Sequence, residues 1–382
     1  MFEKRLEGLI HEGLFRSISD RYSPQGRVIK TGRGSLINFS SNDYLGLCNH
    51  PSIREAVVRA VEEYGTGSGA SRLISGGTVL HRRLESLVSR LKGTEASVIF
   101  GSGYAANTGV IPAISDGNTT IFSDELNHAS LIDGCRLSRA RLFIYRHNDM
   151  EHLNGLLHRH RKGKSVIITD SVFSMDGDIA PLGELRELAF RYDAILYIDD
   201  AHGTGVLGGG KGALGHFGLS PEPFIIQMGT LSKAVGSCGA FVAATGVVTE
   251  WLINTSRTLM YSTALPAHLV AASIEAVNII LDDPSLVERL WKNRNCLVRG
   301  LHSIGVDTGL SQTPIVPLVL KDNRSAVGLS EFLMSRGIYA PAIRQPTVRT
   351  PRVRVTVSAV HTEEDLDLLI KRLKEARDCG LL

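Results

Sequence analysis

From about residue 95 the chain alternates short apolar runs with helix-length amphipathic segments. The runs fall at 97–100, 120–123, 142–145, 165–169, 194–199, 224–228 and 240–244. Each is too short for a stable helix and long enough for a strand buried on both faces. Helix-period segments separate most of them. This alternation predicts an α/β fold, a mainly parallel seven-stranded sheet covered by helices. Ligands of such sheets bind at the carboxyl ends of the strands.

The pattern changes near Asp282-Asp283-Pro284. It predicts a long amphipathic helix from about Ser285, a strand at 315–320, a helix at 325–336, a strand at 353–357 and a last helix from Thr362, its cap, to Gly380. The expected organisation is an N-terminal segment over 1–45, a large domain over 46–282 and a smaller C-terminal α+β domain over 283–382. The nearly apolar stretch 264–281 carries His268 and Glu275, so it reads as a buried helix and not a membrane span.

Composition narrows the function classes. Of 382 residues, 43% are hydrophobic and 21% charged, an ordinary globular balance. A net charge of +3 gives no basis for nucleic acid or membrane as partner. The five cysteines are scattered, with no spacing of a metal site or redox pair, so no metal is expected and a reducing, cytoplasmic setting fits. Met1-Phe2-Glu3-Lys4-Arg5 opens a charged amphipathic segment and does not read as a signal peptide.

The candidate chemistry gathers at the predicted strand ends. Lys233 follows the 224–228 run in Gly229-Thr230-Leu231-Ser232-Lys233-Ala234, a turn of small and hydroxyl residues. Asp199, Asp200 and His202 close the 194–199 run. Adjacent residues at a strand end point to opposite faces, so one aspartate can meet a ligand there; the other reading is a turn or cap aspartate. A lysine, an aspartate and a histidine on strand ends of one sheet are what a pyridoxal phosphate site needs: an amine for the carbonyl and a carboxylate for the ring nitrogen. His128 follows another strand and suits a ring face, a proton shuttle or a structural role. Gly101-Ser102-Gly103-Tyr104 links a strand to a helix; its glycines suit a phosphate, a dinucleotide or a plain tight turn. Gly203-x-Gly205-x-x-Gly208 has the dinucleotide spacing but opens no helix, so the glycine-rich stretch 208–215 reads as a mobile loop. Ser174 sits in a turn after the 165–169 run. The basic run 158–164 reads as a solvated helix end, and Arg352 and Arg354 alternate along a strand, where one can grip a carboxylate.

Taken in order, these segments resemble the α-oxoamine synthases, a branch of the fold-type-I pyridoxal phosphate enzymes. The matching strings run from Gly13-Leu14-Phe15-Arg16 and Asn38 to Leu47, through Gly65 to Arg72, Asn127-His128-Ala129-Ser130, Val172 to Asp178 and Asp199 to Gly205, to Tyr261 to Pro266 and Ala342 to Val348. The resemblance implies that Lys233 carries the cofactor, Asp199 pairs with its ring nitrogen, His128 stacks on the ring and His202 meets the phenolic oxygen. It implies that Gly103, Tyr104, Ser174 and Thr230 hold the cofactor and its phosphate, with Thr263 reaching in from the second subunit of a homodimer. Arg16, Asn42, Thr347 and Arg354 would contact an amino acid and an acyl thioester carried on coenzyme A or an acyl carrier protein. Ile343-Arg344-Gln345-Pro346-Thr347-Val348 resembles the string of members that join alanine to a pimeloyl thioester, with Gln345 where proline is usual. The same machinery in other members takes glycine and an acetyl thioester. A nicotinamide-dependent oxidoreductase is the rival from another class.

Overall fold

The computed structural model describes residues 1–12, 14–16 and 18–382. The chain opens with helix α1 (Phe2–His11) and strands β1 (Val28–Thr31) and β2 (Gly34–Asn38). Then come α2 (Pro51–Tyr64), α3 (Val79–Lys92), β3 (Ala96–Phe100), α4 (Gly103–Ile114), β4 (Thr120–Asp124), α5 (Ala129–Leu137), β5 (Arg141–Tyr145), α6 (Met150–His160) and β6 (Ser165–Asp170). They are followed by α7 (Leu182–Arg191), β7 (Ala194–Asp199), α8 (Ala213–His216), β8 (Ile225–Thr230), β9 (Ala240–Ala244), α9 (Gly246–Thr255), α10 (Arg257–Met260) and α11 (Ala267–Asp282). The C-terminal part holds α12 (Ser285–Ser303), β10 (Ile315–Val319), α13 (Asn323–Ser335), β11 (Ile338–Tyr339), β12 (Ala342–Ile343), β13 (Arg352–Thr356) and α14 (Glu363–Asp378).

These elements form two compact units. The larger comprises residues 47–174 and 179–288, the smaller residues 1–46, 175–178 and 289–382. In the larger, seven strands stand in the order β3-β9-β8-β7-β6-β4-β5. Neighbours from β8 to β5 pair in parallel, and β9 runs antiparallel to both β8 and β3. The seven apolar runs are these strands, with ends shifted by a residue or two. Strands β4, β6, β8 and β9 are buried throughout, as expected where helices cover both faces. Edge strand β5 is the exception, with Arg141, Leu142 and Ile144 exposed.

In the smaller unit, β10 and β12 flank β13 antiparallel, and β2 pairs antiparallel with β1 and parallel with β11. Phe39, Leu297, Leu318, Val355, Leu366 and Leu369 are among the residues of its core. Helix α14 starts where expected: the Thr362 hydroxyl accepts the Asp365 N–H, and Asp365 answers on the Thr362 N–H. The pairing of β1 with β2 and the short β11 and β12 have no counterpart among the predicted elements. Their apolar signal spans too few residues to register a period.

The glycine-rich stretch 208–215 is a packed turn and not a loose loop. An added Cβ on Gly210 (φ +94°) would lie 2.8 Å from Ile280 Cγ2, and one on Gly212 (φ +99°) 1.9 Å from Asp200 Oδ2. Glycine is there because the chain passes too close to its neighbours for any side chain.

Candidate active site

Lys233 stands three residues beyond the end of β8, half-buried in a turn tied at several points. Leu231 N–H donates to Gly239 O (2.9 Å), Ser237 N–H to Leu231 O (2.8 Å) and Gly236 N–H to Lys233 O (2.9 Å). The Thr230 hydroxyl donates to Gly239 O (3.0 Å) and lies 2.7 Å from Ser232 Oγ. Gly236 (φ +70°) lets this turn press on the 47–48 backbone, where an added Cβ would come within 2.6 Å of Cys48 N. The lysine therefore leaves a rigid base next to β7, whose last residue, Asp199, pairs in register with Met228 of β8.

The two aspartates at the end of β7 have separate fates. Asp200 turns into the protein and binds Lys92, Nζ to Oδ2 2.7 Å, with both side chains almost wholly buried. It also accepts from Ser171 Oγ (2.6 Å), Thr204 Oγ1 (3.0 Å) and Ala213 N (3.2 Å). Asp199 is buried as well, but its carboxylate has one neutral donor per oxygen: Asn107 Nδ2 on Oδ2 (2.7 Å) and Ala201 N–H on Oδ1 (3.0 Å). Burial pushes its acidity down, raising the pKa, while the Lys233 charge, the Asn107 bond, the Ala201 N–H and His128 hold it toward the ionised form. His202 is buried on the turn that follows.

His128 caps α5. Its Nδ1 lies 2.7 Å from Ser130 Oγ and accepts the Ser130 N–H (3.3 Å), while its own backbone N–H donates to Asp170 Oδ2 (2.7 Å). Burial lowers the imidazole pKa; Asp199 opposes that and Lys233 adds to it. Asp170, wholly buried near Asp199, is pushed well above the usual carboxylate range by burial first and by that like charge second. Asp124, Asp170 and Asp199 thus end neighbouring strands β4, β6 and β7.

At the turn before α4, the Ser102 hydroxyl accepts the Ala105 N–H (3.1 Å), and added Cβ atoms on Gly101 or Gly103 would meet nothing closer than Met228 Cε at 3.9 Å. The backbone is thus open at a helix N-terminus, where an anion is favoured. Tyr104 is half exposed, and its hydroxyl donates to Asp133. Ser174 is half-buried in its turn, and Thr263 is exposed, its backbone bridged to Ser71. Carboxylate, amine, imidazole, hydroxyls and an open helix terminus make a donor set that fits pyridoxal phosphate.

Four predicted substrate residues lie in the smaller unit and form two pairs. Arg16 Nη2 donates to Thr347 Oγ1 (2.9 Å), and Arg354 Nη2 to Asn42 Oδ1 (2.7 Å). Arg354 Nε is buried without a partner among the described residues. Arg352 is committed to structure, bound to Asp176 and to Met175 O (3.0 Å). Of the two, Arg354 is the one left with a donor for an anion.

The residues missed from sequence are Asn107, Tyr197, Ser130 and Asp170, which hold Asp199 and His128. A polar residue within the small apolar helix Gly103–Ile114 was the one available signal for Asn107.

The chain matches the aminotransferase class I and II family over residues 35–373. It is 47% identical over 380 residues to the 8-amino-7-oxononanoate synthase of Thermoanaerobacter pseudethanolicus, covering 98% of this chain and 95% of that relative. Serine palmitoyltransferase from S. paucimobilis, solved with a bound PLP–myriocin aldimine, shares the fold with a TM-score of 0.94 at 26% identity, over 100% of this chain and 98% of that one. The 8-amino-7-oxononanoate synthase of Francisella tularensis gives 0.79 at 27% identity, over 91% and 99%. Strand-end lysine, buried aspartate and these full-length matches agree, and the chain belongs to the aminotransferase class I and II family, among its pyridoxal-phosphate-dependent α-oxoamine synthases.

Proposed function

We propose that the protein condenses L-alanine with a pimeloyl thioester, giving 8-amino-7-oxononanoate, carbon dioxide and the free thiol, as a step of biotin synthesis. The observation that carries this is Asp199, a buried carboxylate held by Asn107 and the Ala201 N–H, one strand away from Lys233. Pyridoxal phosphate, when bound, supplies a protonated ring that withdraws electrons from the amino acid Cα. Asp199 is the group that would keep that ring nitrogen protonated. Lys233 would hold the cofactor through Nζ and, once displaced by the substrate amine, move the Cα proton. His128 would lie on the ring face and His202 at the phenolic oxygen. Gly103, Tyr104, Ser174 and Thr230 would hold the ring and phosphate.

The substrate residues follow by chemistry. Arg354, with an unpartnered buried Nε, suits a carboxylate, and Asn42 orients it. Arg16 and Thr347 form a second polar pair suited to the acyl substrate. Exposed Thr263 is accessible to a second copy, in keeping with a homodimer that shares its sites. No helix among the described residues is long and apolar enough to cross a membrane, and a cytoplasmic enzyme is the matching proposal.

The test is a kcat/KM comparison, which reads competing transition states directly. Purified protein is given alanine or glycine with pimeloyl or acetyl thioesters of coenzyme A and of acyl carrier protein, and thiol release is followed. Alanine with a pimeloyl thioester should give the highest value. A higher value for glycine with acetyl-CoA would overturn the substrate assignment. Borohydride reduction of the loaded protein should then leave the pyridoxyl group on Lys233; finding it on another lysine would overturn the site.

A further inference from the structure

Asn107 is fully buried on α4, and its amide is bonded at both ends. Nδ2 donates to Asp199 Oδ2 (2.7 Å) and to Ser130 Oγ (2.8 Å), and Oδ1 accepts from Tyr197 Oη (2.8 Å). The amide orientation is forced, because an ionised carboxylate only accepts and so must face the NH2 group. Tyr197 is wholly buried, and burial raises its phenol well above the ordinary range, so it stays protonated and donates. The tyrosine thus locks the amide from behind.

The second Asn107 N–H sets the direction of the next bond. Ser130 Oγ accepts it, which leaves the hydroxyl proton for His128 Nδ1, 2.7 Å away. Nδ1 also takes the Ser130 backbone N–H, a donor that cannot reverse. Nδ1 is therefore an acceptor, and the neutral ring carries its proton on Nε2.

We infer that Asn107 is a positioning residue that fixes two groups at once, the carboxylate of Asp199 and, through Ser130, the Nε2–H tautomer of His128. This rests on the pyridoxal phosphate reading of the site. One buried amide joins the group assigned to the ring nitrogen to the group assigned to the ring face. Neither can reorient without breaking a bond that the other depends on.

Three variants test it: Asn107→Leu, of similar volume without donors; Ser130→Ala; and Tyr197→Phe, which frees the amide but keeps its donors. The readout without cofactor is the pair of His128 ring-nitrogen NMR shifts. Wild type should show the Nε2–H form, and Asn107→Leu and Ser130→Ala a mixture of tautomers. The readout with cofactor is the pH at which visible absorption changes, together with kcat and KM. In Asn107→Leu that pH should move by about one unit or more, kcat should fall about 100-fold, as for a misplaced catalytic group, and KM should stay within about threefold. Tyr197→Phe should move the same quantities in the same direction, with kcat falling about tenfold, the worth of one hydrogen bond. If Asn107→Leu does not fold, Tyr197→Phe and Ser130→Ala decide. Unchanged tautomer and pH profile in folded variants would overturn the inference, even if kcat fell, because that is the mark of a merely structural role. If wild-type protein gains no visible absorption with pyridoxal phosphate, the functional reading fails instead, and the cofactor-free shifts still decide whether Asn107 orders His128.

Discussion

Replacing Lys92 with methionine should destabilise the protein by about 3–5 kcal/mol, the usual consequence of removing one partner of a buried ion pair. Lys92 Nζ and Asp200 Oδ2 are 2.7 Å apart, with side-chain exposures of 0% and 2%. At that separation an effective dielectric of about 20 gives an attraction of about 6 kcal/mol, much of it offset by the desolvation of both charges. Methionine keeps the apolar stem and removes the ammonium. Asp200 then retains Ser171, Thr204 and the Ala213 N–H as neutral donors but loses its counter-ion. Water cannot replace it easily, because the Gly212 backbone closes over the pair. Adding Asp200→Asn removes the stranded charge, so the double variant should recover at least half of the loss, a coupling that a double-mutant cycle measures. Urea unfolding followed by far-UV circular dichroism, read at the first transition, is the assay. A Lys92→Met protein within 1 kcal/mol of wild type, or a double variant no more stable than the single one, would refute the reasoning.

The neighbouring aspartate should behave in the opposite way. Asp199→Asn should reduce turnover about 100- to 1000-fold, the scale of losing one preorganised charge contact, while cofactor affinity changes much less; near-normal kcat would show that Asp199 is not the ring partner. Its raised pKa means that the folded protein binds this proton more tightly than the unfolded chain. The stability from that proton is fully present below the unfolded carboxylate pKa and is lost as pH rises through the folded value, so cofactor-free Asp199→Asn should flatten that part of a stability–pH profile. His361 has the reverse sign. It stacks on Phe39 with centroids 4.2 Å apart, its Nε2 lies 3.1 Å from Asn38 O, and burial lowers its pKa to about 4. Its neutral form contributes stability above the unfolded pKa of about 6.5, lost as pH falls toward 4 and amounting to about 3 kcal/mol. Urea unfolding at pH 7 and pH 4.5 should show that loss in wild type and a smaller one in His361→Gln; equal losses would remove His361 as the cause.

Much of this protein is written in its local sequence. Apolar runs such as Val166-Ile167-Ile168 and Phe241-Val242 can only be buried strands, since each is too short for a helix and carries nothing for water. That places Asp199, His128 and Lys233 at strand ends, and their chemistry then names the cofactor. Local sequence could not say which of Asp199 and Asp200 faces the site. Alternation separates their directions, but only the packed fold puts Lys92 under one and Asn107 under the other, from 108 and 92 positions away in the chain. Lys92 reads as an ordinary basic residue in the last turn of a helix, suited to the helix dipole and to water. Burial against a carboxylate is a long-range event with no period to mark it. The same holds for Asn107, a polar residue among alanines and glycines whose three partners come from two other segments, α5 and β7. Residue types and their spacing determined the fold class and the reactive groups; tertiary packing decided which of those groups are held, and in which protonation state, because desolvation and hydrogen-bond direction depend on atoms that meet only in the folded chain.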